Sequence, residues 1–205
     1  MILDTLIDWT PFLALGFLRN LLISGLAMAA GTAIGVALGQ LRYSRVRVAS
    51  PVAGGVTSVC RNVPSFVLIF YVAFLLPVEV RWGESVLQIP VWIKAALALT
   101  IPVIGFASDQ FRGFLRQRAA ELGGAVAMFW TAWAQYFLII LMASSTASVI
   151  GADEIVGRAN RIVAIDNDPA LLLATYSYIA AWFLLAGLVI SRVSARVARS
   201  VQARR

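Results

Sequence analysis

Five stretches of this chain are apolar for long enough to cross a lipid bilayer, which rules out most other folds. A crossing helix needs roughly 20 apolar residues, because a rise of about 1.5 Å per residue must cover about 30 Å of hydrocarbon. The stretches lie at about 12–41, 51–76, 91–111, 125–150 and 170–190. Composition points the same way. Of 205 residues, 60% are hydrophobic and 13% charged, with a mean hydropathy of +0.85. A soluble domain usually carries about a quarter charged residues, so the apolar surplus here must face lipid. Residues 1–205 read as a single all-α, polytopic transmembrane domain with no room for a separate soluble one. The start, Met1–Trp9, lacks a basic segment and leads into an apolar run too long for a cleaved leader, so it reads as retained.

The side chains present exclude several chemistries. There is no histidine and one cysteine, Cys60, so a disulfide framework, a Cys/His zinc site and a Ser-His-Asp triad cannot be built within the chain. No Gly-rich phosphate loop ending in Gly-Lys-Ser/Thr occurs. No metal or cofactor is expected in this chain. The net charge of +7 sits in short basic segments beside apolar runs, as in cytoplasmic loops, rather than in a nucleic-acid-binding stripe.

Those segments set an expected orientation. Arg42, Arg45 and Arg47 follow the first span; Arg112, Arg116 and Arg118 follow the third; Arg192, Arg196, Arg199, Arg204 and Arg205 follow the fifth. Asp4, Asp8, Glu79, Glu84, Asp153, Glu154, Asp166 and Asp168 fall on the other side, with Arg81, Arg158 and Arg161. The positive-inside rule then places the N-terminus outside and the C-terminus in the cytoplasm. Between the last two spans, at about 153–166, apolar residues recur at helical spacing among charges, predicting a short amphipathic helix at the outer interface.

Polar residues inside the apolar runs are the functional candidates. Arg61 sits near the middle of the second span, where an arginine costs about 2.5–3.5 kcal/mol on insertion scales. With Asn62, Pro64 and Ser65 it predicts a kinked, polar-lined helix whose guanidinium suits a carboxylate-bearing solute. The alternative is a structural ion pair or an arginine reaching the cytoplasmic interface. Ser144, Ser145, Thr146 and Ser148 form a hydroxyl patch late in the fourth span, suited either to a solute route or to bonding their own helix. Asp109 and Arg112 are spaced to pair on one helical face. Gly31, Gly35 and Gly39, one turn apart, form a face for close helix packing, within the chain or against another subunit.

Taken in order, four elements resemble the permease subunits of polar amino-acid ABC importers, from about Phe17 onward. Phe17-Leu18 opens a first span with the spaced glycines. Arg61-Asn62-Val63-Pro64 matches the family's Arg-x-Thr-Pro element, and Gly105 to Gly113 its Ala-Tyr-x-x-Glu-x-x-Arg-Gly element. Ser144-Ser145-Thr146-Ala147-Ser148-Val149-Ile150-Gly151, followed by Glu154-Ile155, matches the segment before the last span.

The resemblance implies a type I, binding-protein-dependent importer in the bacterial inner membrane, working by alternating access. Its partners would be ABC ATPase subunits holding ATP and magnesium, an external or periplasmic solute-binding protein, a second permease subunit and membrane lipid. Arg61, Asn62, Pro64, Ser65 and the hydroxyl patch would line the solute route. Asp109, Arg112, Gly113, Arg118, Ala119, Ala120, Glu121 and Gly124 would face the ATPase through a short coupling helix. Here the chain departs from the family: Arg118-Ala119-Ala120-Glu121-Leu122-Gly123-Gly124 stands where Glu-Ala-Ala-x-x-x-Gly is expected, in a shorter loop, and Met142-Ala143 replaces a Lys-Asp pair. One reading is the divergent half of a heterodimer. A non-transporting scaffold and an ATP-independent transporter are the other two.

Overall fold

The computed structural model describes residues 2–44, 46–83, 85–121, 123–165 and 168–203. Arg45, Glu84, Leu122, Asp166, Arg204 and Arg205 lie outside the described residues. The helices are α1 (Ile2–Tyr43), α2 (Ala49–Asn62), α3 (Ser65–Leu75), α4 (Val91–Ala119), α5 (Ala125–Ser144), α6 (Ile155–Val163) and α7 (Pro169–Ala203). α1, α4, α5 and α7 are each long and apolar enough to cross a membrane, in keeping with the all-α polytopic class. Several run past their apolar stretches. α1 starts well before Phe12, so Pro11 lies inside it, and α4 and α7 continue to Ala119 and Ala203. Arg, Gln and Ala favour helix, so a charged residue marks where a helix leaves hydrocarbon rather than where it stops.

The second span is not a kinked helix but two helices meeting at 97°. Proline disfavours helical geometry in the residue before it, and Val63 is extended (φ −81°, ψ 126°), ending α2 at Asn62. Pro64, itself extended, then serves as the N-cap of α3. The pair nevertheless advances along α4. Thr57 meets Ser108, the Arg61 backbone lies against Gly105, and the end of α3 reaches Lys94. From Ser108 to Lys94 is about 21 Å of helix rise, so α2 and α3 together make one broken crossing. Lys94 fastens its far end: the buried ammonium donates to the Leu76 carbonyl at 2.7 Å and the Ala73 carbonyl at 3.3 Å, satisfying C-terminal carbonyls.

α4 is the hub. Gly31 of α1 lies against Val103, Gly35 against Ala107, and Gly39 against Ser108 and Phe111. The register advances equally on both helices, so α1 and α4 are parallel, and the glycine face is filled by α4 of the same chain. α5 runs against them, pairing Trp133 with Thr32 and Asn20 with Ser144. α7 is again parallel to α1, through Thr10–Tyr178 and Phe17–Trp182. The bundle therefore has a basic end, where α1, α4 and α7 finish, and an opposite end where they begin. A core of Ile23, Met28, Ile69, Leu99, Val103 and Ile140 packs around α4.

At the opposite end, β1 (Glu79–Trp82) and β2 (Ser85–Gln88) pair antiparallel, Glu79 opposite Gln88 and Trp82 opposite Ser85. This hairpin was not anticipated from the sequence. α6 is the short amphipathic helix. Its apolar face, with Ile155, Ala159 and Ile162 buried, packs on Leu13, Phe17 and Ile179 rather than lying free at a lipid surface.

Candidate functional site

Asp109 joins three helices. One carboxylate oxygen, Oδ1, accepts from Arg42 Nη1 of α1 at 2.6 Å, and Oδ2 accepts from Arg61 Nη1 of α2 at 2.8 Å. Arg42 also donates to Ser108 Oγ at 3.1 Å, and that hydroxyl hydrogen-bonds Thr57 Oγ1 at 2.8 Å. The expected Asp109–Arg112 pair is not formed. Asp109 points across the bundle to Arg42 and Arg61, and Arg112 Nε is buried without a hydrogen-bond partner. Arg61 thus starts mid-way along α4, beside Gly105, and reaches one turn toward the basic end. The two arginines differ in freedom: the Arg42 side chain is 12% exposed and that of Arg61 58%. Asn62, Pro64, Phe66, Val67 and Tyr71 continue the exposed face of the broken crossing, and Ser65 is half-buried on it.

The hydroxyl patch lies elsewhere. Ser145–Ile150 forms a 3₁₀ turn. The hydroxyls of Ser144, Ser145, Thr146 and Ser148 each donate to a carbonyl three residues back, at 2.7–2.9 Å. The patch packs toward α3 at the end opposite the basic one, so this chain does not bring it together with Arg61.

Near it lies a polar knot that the sequence reading passed over. Asn20, buried in α1, donates to Ser144 Oγ (2.8 Å) and Glu154 Oε2 (3.0 Å) and accepts from the Ile155 backbone N–H (3.1 Å). Glu154 is fully buried and caps α6, accepting from the backbone N–H groups of Val156 and Gly157. Arg158 clamps the same helix, donating to the Phe12 carbonyl and to Asp153 and lying over the Phe12 ring. The signal was there: Arg19-Asn20 interrupts an apolar span.

Burial raises the Glu154 pKa, opposed by its hydrogen bonds, whereas the Arg158 hydrogen bond lowers that of Asp153. The linkages have opposite signs. The Glu154 contribution is present in acid and lost as pH rises through its folded pKa, while the Asp153 contribution is lost as pH falls through its own. Asn20→Ala is expected to cost about 1–3 kcal/mol by leaving the Ile155 N–H unpaired, read as a lower unfolding temperature in detergent. Ser145→Ala, whose hydroxyl serves only its own helix, should change little.

At the basic end, Arg112, Gly113, Arg118 and Ala119 lie on α4 itself. Ala120, Glu121 and Gly124 form the turn into α5, with Glu121 at φ 53° and Gly124 at φ 85°. A left-handed φ is easy for glycine and unusual for glutamate. None of the described residues between Ala119 and Ala125 is helical, so the expected separate coupling helix is not formed there. A cavity of about 590 Å³ is an apolar groove between α5 and α7 lined by Leu138, Met142, Phe183 and Leu188, away from Arg61.

The chain is similar to known transporters across most of its length. It is 26% identical over 194 residues to the probable glutamine ABC transporter permease protein GlnP of Bacillus subtilis (strain 168), covering 82% of this chain and 86% of that one. No family model matches it. Its fold matches that of an amino acid ABC transporter crystallised with histidines, with a TM-score of 0.79, 19% identity, and coverage of 96% and 97%. It also matches the inward-facing MetNI methionine ABC transporter, with a TM-score of 0.72, 15% identity, and coverage of 95% and 98%. The resemblance drawn from the motifs is borne out by the sequence relative and by the fold.

Proposed function

We propose that this chain is the transmembrane subunit of an ATP-driven ABC importer for polar amino acids or similar small zwitterions, in a bacterial inner membrane. The observation that carries the proposal is the broken second crossing, which starts Arg61 beside Gly105, mid-way along α4, and leaves its guanidinium exposed one turn toward the basic end. A guanidinium fork pairs well with a carboxylate, the group that every amino-acid solute carries. The similarity to a glutamine permease and to amino-acid ABC transporters supports the same solute class.

In this scheme the basic end is cytoplasmic and meets ATPase subunits that bind ATP and magnesium. The end bearing α6 is external and receives the solute-binding protein. A second permease subunit faces α2 and α3, and alternating access opens the passage to one side and then the other. The direct α4–α5 turn favours a specific arrangement: this chain is one half of a heterodimer whose other permease subunit carries the coupling helix.

Affinity purification from the native membrane should bring down an ABC ATPase and a second, different permease. Proteoliposomes holding that complex should accumulate amino acid only with ATP and binding protein. ATP-independent accumulation would remove the importer reading. A transporting homodimer with two docked ATPases would remove the heterodimer alone.

A further inference from the structure

The two partners of Asp109 are held very differently, and that asymmetry has a use. Arg42 is nearly enclosed, bonded to Oδ1 at 2.6 Å and steadied by Ser108. Arg61 is more than half exposed, and among the described residues its side chain is held by one bond, from Nη1 to Asp109 Oδ2 at 2.8 Å. If Arg61 swings away, Asp109 keeps a charge partner, so breaking this bond does not strand a buried carboxylate. Arg61, with five N–H donors in a rigid fork, can be satisfied equally by a carboxylate from outside the chain. The cluster is a seat for one exposed guanidinium with an acceptor already in it.

We propose that Asp109 is an internal competitor for Arg61: its carboxylate holds the guanidinium that a solute carboxylate takes, and solute binding exchanges one for the other. This rests on the importer reading, in which Arg61 faces the passage. The exchange detaches α2 from α4 at Asp109 while leaving α1 attached through Arg42. Solute arrival is thereby converted into loosening of the broken crossing. Asp109 also sets affinity. If the internal pair is formed about nine-tenths of the time, apparent solute affinity is about tenfold weaker than that of free Arg61.

The test uses the purified permease–ATPase complex without binding protein, with radiolabelled L-glutamine, L-glutamate and L-arginine as probes and L-glutamine amide, which lacks the α-carboxylate, as control. Asp109→Asn should tighten binding of the transported amino acid about tenfold and leave the amide unchanged. Equal affinity in the variant and the wild type, or equal tightening for the amide, would overturn the proposal while the importer reading stood. If the wild-type complex binds none of the three amino acids, the importer reading's solute class fails and the exchange with it.

A second measurement needs no variant. Cys60, the chain's single cysteine, adjoins Arg61 and is partly exposed. Its maleimide labelling, located by peptide mass, should change at least twofold as the amino acid saturates the complex, with the same half-effective concentration as binding. Bound solute with unaltered Cys60 labelling would also overturn the exchange.

Discussion

Gly35→Leu is expected to abolish accumulation of folded protein in the membrane. A Cβ at Gly35 would lie 2.6 Å from the Ala107 Cβ and 2.7 Å from the Ile104 carbonyl oxygen. The second of these is backbone, so relief requires the axes of α1 and α4 to separate. That movement would also unseat Gly31, which lies close against Val103 and Thr100, and Gly39, which lies close against Ser108. Overpacking costs about 1–3 kcal/mol where side chains can shift; a whole seam opened by one leucine costs more, against a total stability of about 5–15 kcal/mol. In lipid, close packing of small residues is a main source of helix association, so little remains to compensate. The control is on the same helix. Gly25 has nothing within 4 Å of its added Cβ, so Gly25→Ala should be neutral or slightly stabilising, as alanine favours helix by about 1 kcal/mol over glycine. Fluorescence-detected size-exclusion of the extracted complex reads both. A monodisperse Gly35→Leu peak of wild-type height would show that the seam is not what holds the hub together.

Much of the fold could be read from residues alone, because a bilayer imposes a length and an apolar run either meets it or does not. What escaped was set by partners distant in the sequence. The break at Pro64 follows from the dipeptide Val63-Pro64, but the 97° turn depends on α2 lying against Gly105 and α3 ending under Lys94. Asp109 was paired by helical spacing with Arg112, its neighbour on α4. The side chain instead takes partners 67 and 48 residues away, on α1 and α2. Hydroxyl content drew attention to Ser144–Ser148, although such groups in a helical turn are satisfied by their own carbonyls. The residue that organises that end, Asn20, stands beside Arg19 in an apolar run, where a buried amide calls for a polar partner on another helix.

Arg61→Ala is expected to reduce ATP-driven amino-acid uptake by at least about 100-fold while leaving assembly of the complex intact. Such a separation of effects follows from the geometry. A purely structural ion pair is destabilising to break when it leaves a buried charge alone. Here removal of Arg61 leaves Asp109 bonded to Arg42 at 2.6 Å and leaves Arg42 bonded to Ser108. It also removes a charge that is costly to place within an apolar span, so the folded subunit loses little. Transport loses the charged donor for the solute carboxylate, and bonds of that kind contribute about 1.5–3 kcal/mol each, so a bidentate fork accounts for about two decades or more. Arg42→Ala provides the contrast. With its enclosed partner gone, Asp109 must depend on the exposed Arg61, and the contact between α1 and α4 at Ser108 loosens. That variant should lower the unfolding temperature and the yield together with uptake. Should Arg61→Ala behave like Arg42→Ala, losing assembly and uptake in the same proportion, Arg61 would be a structural strut and the passage would have to be sought on another face.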